Sequence, residues 1–210
     1  GGNGTYRYKL DNNDLTSGAT QTTNTSYTPG SGISEGSHTL YVQERDAAGN
    51  WSSSGSSAIV IDITAPTITG TTVASNNASI AVTFSEAVYN TSGGSGALEA
   101  SDFTLTISGG TATLSSPTPS SISSSSNTYT LGLSHLSGTP NGSETITVVP
   151  SSSTAIYDAV GNAASTSQSN NTVTLNDTTA PTITGTTVAS NNASIAVTFS
   201  EAVYNSSGGS

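Results

Sequence analysis

The sequence predicts an all-β chain of antiparallel β-sandwiches joined end to end, and three observations carry that prediction. Short runs alternate apolar with polar side chains, and each run closes on Gly, Ser, Asn or Pro. No stretch shows the 3.6-residue period of an amphipathic helix. The 27 residues TAPTITGTTVASNNASIAVTFSEAVYN, starting at Thr64, recur letter for letter starting at Thr179, 115 positions later. Extending the comparison covers 32 positions with one difference, Thr91 against Ser206. A period of that size suits one sandwich of about 100 residues, so the chain reads as a slice through a tandem array whose partners are its own neighbouring modules.

The elements follow in order. In residues 1–63, strands are predicted at 5–10, 22–27, 38–44 and 57–63, with Tyr6, Tyr8 and Leu10 on one face. This module opens on what reads as a second strand, so a first strand is expected to be missing. Residues 64–178 hold seven predicted strands, at 67–73, 79–88, 102–107, 111–115, 127–133, 144–149 and 171–175. Ile80, Val82 and Phe84 share one face, as do Tyr129, Leu131 and Leu133, and these faces are expected to meet in one core. Residues 179–210 repeat 64–95 and supply the first two strands of a third module. The connectors Asp62-Ile63-Thr64-Ala65-Pro66 and Asp177-Thr178-Thr179-Ala180-Pro181 are short. Each carries a proline that fixes its own φ and extends its predecessor, which predicts stiff joints.

Composition excludes several classes of partner. Net charge is −10 and only three residues are basic; these are Arg7, Lys9 and Arg45. Nucleic acid demands cations against its phosphates, and anionic lipid demands a basic patch, so neither partner is expected. No apolar run reaches the length of a membrane span. The absence of Cys removes disulfides, thiol chemistry and Cys-ligated zinc. Regular β-branched and aromatic alternation argues against disorder despite the low charge.

Several short motifs carry a resemblance. Tyr8-Lys9-Leu10-Asp11, Gly36-Ser37-His38-Thr39-Leu40, Asp46-Ala47-Ala48-Gly49-Asn50 and Ile61-Asp62-Ile63-Thr64-Ala65-Pro66 together resemble the bacterial immunoglobulin-like (Ig-like) repeats of large surface adhesins. Ala81-Val82-Thr83-Phe84-Ser85-Glu86-Ala87-Val88, with Ser101-Asp102-Phe103 and Tyr157-Asp158-Ala159-Val160-Gly161-Asn162, is similar to a second bacterial Ig-like group found in S-layer and adhesin stalks. The resemblance implies tandem Ig-like sandwiches and a non-enzymatic, cell-surface or secreted array module, often stiffened by calcium.

The carboxylates sharpen this expectation. Asp-Ala-x-Gly-Asn occurs at 46–50 and 158–162, each time before a final strand. Gly and Asn there suit a turn with positive φ, which is the simpler reading. Topology adds another: successive loops of a seven-stranded sandwich alternate between its ends, so Glu86, Asp158, Asn162 and the linker residue Asp62 are expected at one end of the middle module. Glu86 has the parity of Ile80, Val82 and Phe84, so a continuing strand would aim it at the rim of the core. Burying an unpaired carboxylate is costly, and no Lys or Arg exists between Ala65 and Ser210 to neutralise it. Calcium, which takes six to eight oxygen ligands, answers that need; a proton or simple solvation of the rim is the alternative. Matching clusters are expected from Asp11, Asp14 and Asp46 in the first module and from Asp177 and Glu201 in the third.

Catalytic chemistry is not expected. His38 and His135 are distant from each other and from any nucleophile motif, and no G-x-S-x-G elbow or phosphate loop occurs. The sequence therefore favours an extracellular spacer or stalk. A self-assembling filament or S-layer-like lattice completed by strand exchange is the alternative, motivated by the open edge of the first module. A carbohydrate-binding module is a third reading, resting on Trp51 with Tyr6, Tyr8 and Tyr41.

Overall fold

The computed structural model describes residues 2–205 and is all-β, with several antiparallel sheets. Ser206, where the two copies of the repeat differ, lies outside the described residues. The chain divides into two compact units, Gly1–Thr64 and Ala65–Ser210.

Unit 1 is one four-stranded sheet of β1 (Gly2–Leu10), β2 (Thr20–Thr22), β3 (Gly36–Asp46) and β4 (Gly55–Ile61), in the order β2-β1-β3-β4. Paired residues share a face in an antiparallel ladder. The register Tyr8↔Val42, Leu10↔Leu40 and His38↔Ile59 therefore gathers Tyr8, Leu10, Leu40, Val42, His38 and Ile59 on one side. Tyr27 closes edge-on against Tyr8, centroids 5.2 Å apart, but it does so from a loop rather than from the strand predicted over 22–27. Leu15 is the one fully buried apolar residue of this unit among those described.

On the opposite face Arg7 donates from Nε to Gln43 Oε1 at 2.7 Å, and the guanidiniums of Arg7 and Arg45 lie 4.4 and 5.8 Å from the Trp51 ring centre. Trp51 is thus engaged by its own unit. Below that layer, His38 is held by Asp11 Oδ2 at 2.6 Å and by the Ser34 carbonyl at 2.8 Å. The Asp11 hydrogen bond, then the Ser34 carbonyl, raise the His38 pKa above its ordinary value. A raised histidine stabilises the fold fully below its unfolded value of 6.5 and loses that contribution as pH rises through the folded value. Unit 1, followed by Trp51 fluorescence, is therefore expected to melt at a lower temperature at alkaline pH than at pH 6, and His38→Gln is expected to remove that difference.

Unit 2 contains two sheets over one core. The first runs β5 (Ile68–Val73), β6 (Ser79–Phe84), β10 (Thr128–Gly132), β9 (Ile122–Ser125); the second runs β13 (Thr172–Thr174), β12 (Thr145–Pro150), β7 (Phe103–Ser108). A short pair joins β8 (Thr113–Leu114) to β11 (Leu136–Ser137), and a separate hairpin joins β14 (Ile183–Val188) to β15 (Ile195–Phe199). Alternation does the work: Ile80, Val82 and Phe84 from β6 and Tyr129 and Leu131 from β10 meet Phe103, Leu105, Ile146 and Val148 from the facing sheet. Phe84, Phe103 and Tyr129 pack with ring centres 5.9 to 6.3 Å apart. The Tyr129 hydroxyl donates to the Val88 carbonyl at 3.2 Å, so its polar end is satisfied inside. Each such side chain contributes about 1.5–3 kcal/mol by leaving water.

Strand β6 ends at Phe84 rather than at 88: Ser85 N–H still donates to the Thr67 carbonyl at 2.8 Å, one rung past Ile68↔Phe84, and the chain bends at Ser85 and Glu86. Strand β9 escapes sequence reading because Ser123, Ser124 and Ser125 offer no alternation to detect, and β11 because its 2 residues, Leu136 and Ser137, are too few to show a period. Among the described residues no helix is long and apolar enough to cross a membrane.

Candidate metal centre

Asp62 stands one residue past β4, in the connecting segment, where its Oδ1 accepts the Thr64 N–H at 3.1 Å in a local turn. Glu86 follows the end of β6 by two residues and is half-buried. It arrives there by a loop, so the inward parity of a continuing strand does not place it. That loop is fixed by two backbone hydrogen bonds between Tyr89 and Tyr157, 2.7 and 2.8 Å, which bring Asp158 alongside. Within unit 2, one carboxylate oxygen of Glu86 lies within 4.8 Å of one of Asp158.

Asp158 is fully buried. Its Oδ1 accepts the backbone N–H groups of Val160, Gly161 and Asn162 at 2.6 to 2.9 Å, and its Oδ2 accepts the Asn162 side-chain amide at 2.6 Å. Burial works against its charge, but the Asn162 amide and these N–H groups outweigh it and hold the carboxyl below the usual carboxylate range. Gly161, at φ 103°, makes the turn possible, and a Cβ there would sit 2.6 Å from the Ser92 carbonyl oxygen. Asp46 closes the same kind of loop: Asn50 donates its N–H at 2.7 Å and its amide at 3.1 Å, with Gly49 at φ 97°. The turn reading of Asp-Ala-x-Gly-Asn thus describes both loops, and the 158 loop adds its Asp to an acidic set.

The first-module cluster does not form. Gly2 pairs with Asp46 while Leu10 pairs with Leu40, so Asp11 and Asp46 stand at opposite ends of the β1–β3 ladder. The reason is connectivity: β2 and β3 both run antiparallel to β1, so residues 23–35 carry the chain back along the sheet, whereas the expectation let successive loops alternate between ends. Asp11 instead holds His38 and accepts Thr39 N–H at 2.8 Å, and Asp14 Oδ1 accepts Thr16 N–H and hydroxyl in a tight turn.

Asp177 and Glu201 do meet. They occupy the positions of Asp62 and Glu86 one period later, and burial together with the adjacent Asp177 charge raises the Glu201 pKa above its ordinary value. Sequence reasoning overlooked Glu35. The register Gly36↔Ile61 continues to Glu35 opposite Asp62, and Thr64 donates its hydroxyl to Glu35 Oε2 at 2.9 Å.

No protein-family model matches this chain and no curated protein is similar to it. Among solved structures, chitinase ChiA74 from Bacillus thuringiensis shares 17% identity and a TM-score of 0.23, over 81% of this chain and 23% of that one. A likeness of that grade carries no argument about fold or activity.

The donor set is what the chemistry must be read from. Two carboxylates of unit 2 within 4.8 Å of each other, with no Lys or Arg between Ala65 and Ser210, suit a hard cation that takes oxygen ligands. Asp158 would offer Oδ2, since Oδ1 already accepts three donors. Glu86 would supply the second carboxylate.

Proposed function

We propose that this chain is a run of tandem Ig-like modules, a non-enzymatic spacer in a bacterial extracellular or cell-surface protein, whose connecting segments are held by carboxylates around calcium. The observation that supports it most is the recurrence of the acidic positions in sequence, Asp62 and Glu86 and then Asp177 and Glu201 one repeat later, the second two meeting within unit 2. A spacer gains reach by copying a module, and each copy brings its own connector carboxylates. Calcium would neutralise carboxylates gathered in a stretch that carries no Lys or Arg.

Calorimetric titration of the chain with calcium chloride tests the metal. Binding heat is expected, with unfolding opposed by about 2.7 kcal/mol once calcium stands at a hundredfold its dissociation constant. Glu86→Gln is expected to weaken both. Absence of heat, together with a melting temperature unmoved by chelator, would remove calcium from the proposal. The spacer reading is tested separately by solution scattering from chains of increasing copy number, whose largest dimension is expected to grow linearly.

A self-assembling filament is the second reading, favoured by the half-exposed face of Tyr6, Tyr8, Leu40 and Val42 in unit 1. Light scattering that finds natively purified chain monomeric at every concentration would rule it out.

A further inference from the structure

The loop between β11 and β12 carries the dipeptide Asn141-Gly142 in an arrangement that leaves it open to its own main chain. Asn141 is exposed, and its Oδ1 accepts Ser143 N–H at 3.1 Å. Its Nδ2 and the Gly142 N–H make no hydrogen bond among the described residues. Gly142 sits at φ 77° and has no side chain to shield its nitrogen. That nitrogen is the atom that closes a five-membered ring on Asn141 Cγ. Ser143 N–H already stands at the oxygen where negative charge develops during such an attack.

We propose that Asn141 is a self-modification site whose reaction releases the connector at 177–181. The Gly142 nitrogen bonds to Asn141 Cγ and passes its proton, by way of solvent, to Nδ2, which leaves as ammonia. Water then opens the cyclic imide to aspartate or isoaspartate. Water is the one co-reactant. Opening at the former main-chain carbonyl gives isoaspartate, in which the main chain runs through Cβ and Cγ and is longer by a methylene.

The site lies where the connector is fastened to unit 2. The Pro140 carbonyl accepts Thr178 N–H and the Thr179 hydroxyl, both at 2.9 Å, and a Cβ on Gly142 would lie 3.3 Å from Asp177 Cβ. Asn141 N–H donates to Glu144 Oε2 at 2.9 Å. A longer main chain directly after Pro140 displaces these partners. The new carboxylate also stands close to Glu144 and Asp177 in a stretch without Lys or Arg, where like charges repel unrelieved. The connector therefore loosens as the chain ages. Asn3-Gly4 repeats the turn, with Gly4 at φ 77° and Asn3 Oδ1 accepting Thr5 N–H at 3.0 Å, but nothing lies within 4 Å of a Gly4 Cβ, so its reaction has no connector to release. This inference is independent of the spacer reading and of calcium.

The test holds full-length chain in warm, mildly alkaline buffer for weeks, then cuts samples with pepsin and weighs the peptides. The peptide bearing Asn141 is expected to pass from amide to acid several-fold faster than those bearing Asn76, Asn170 or Asn176, with isoaspartate the larger product. The Thr178 amide is expected to exchange hydrogen faster in the aged chain than in the fresh one. Asn141→Gln is expected to abolish both changes. Fresh and aged fractions of the unsubstituted chain, separated by charge, give the same comparison without any substitution. Conversion at Asn141 no faster than at Asn170 or Asn176, or conversion that leaves Thr178 exchange unchanged, would overturn the proposal.

Discussion

Phe84→Ala is expected to cost unit 2 about 4 kcal/mol, while Phe199→Ala, the same change in the same local sequence, is expected to cost under about 1 kcal/mol. Phe84 is sealed against Phe103 and Tyr129, so truncation removes apolar area and leaves a cavity that rigid neighbours fill poorly. Phe199 has already given up part of its burial and leaves nothing enclosed. Trp51, the chain's one tryptophan, reports on unit 1 alone. The comparison therefore needs far-ultraviolet dichroism or amide hydrogen exchange across a urea series. Equal costs at the two positions would mean that β14–β15 is covered as β5–β6 is, contrary to the architecture described above.

Glu144→Ala is expected to remove about 3 kcal/mol from unit 2, because it strands buried donors rather than because it deletes a charge pair. Glu144 is fully buried, and its Oε1 accepts Thr111 and Ala112 N–H at 2.8 and 3.1 Å while its Oε2 accepts Asn141 N–H at 2.9 Å. Burial resists ionisation, but the N–H groups of Ala112, Thr111 and Asn141 prevail and hold the pKa down to about 2. A depressed carboxylate stabilises the fold above its unfolded value and loses that contribution as pH falls through the folded one. Unit 2 is thus expected to weaken progressively between pH 4.5 and about 2, and E144Q is expected to flatten that decline while lowering stability at neutral pH. An unchanged acid profile in E144Q would refute the assignment. Gly110 belongs to the same device: at φ +56° its Cα hydrogen lies where a Cβ would strike the Glu144 carboxylate.

The core of unit 2 was legible because the β pleat writes itself into sequence as alternation, and Ile80-Val82-Phe84 and Tyr129-Leu131 carry it in full. The nearness of Glu86 to Asp158 within unit 2 was legible from which end of a sandwich each loop serves. The parity argument for Glu86 was not sound, since the strand ends at Phe84 and the chain bends at Ser85 and Glu86. Asp11 and Asp46 went astray because successive loops do not alternate between ends when β2 and β3 both run antiparallel to β1. Glu144 left no mark at all. Its partners are main-chain N–H groups, which every residue but proline supplies, so no side-chain pattern betrays a carboxylate caged in this way.

The duplicate hairpin also gives the order of synthesis a role in deciding the folded form. Chains emerge from the ribosome N-terminus first, and domains generally fold as units as they appear. Residues 68–84 are therefore available to β10 and the facing sheet before residues 183–199 have been made. A denatured full-length chain instead refolds with both copies of the hairpin already made.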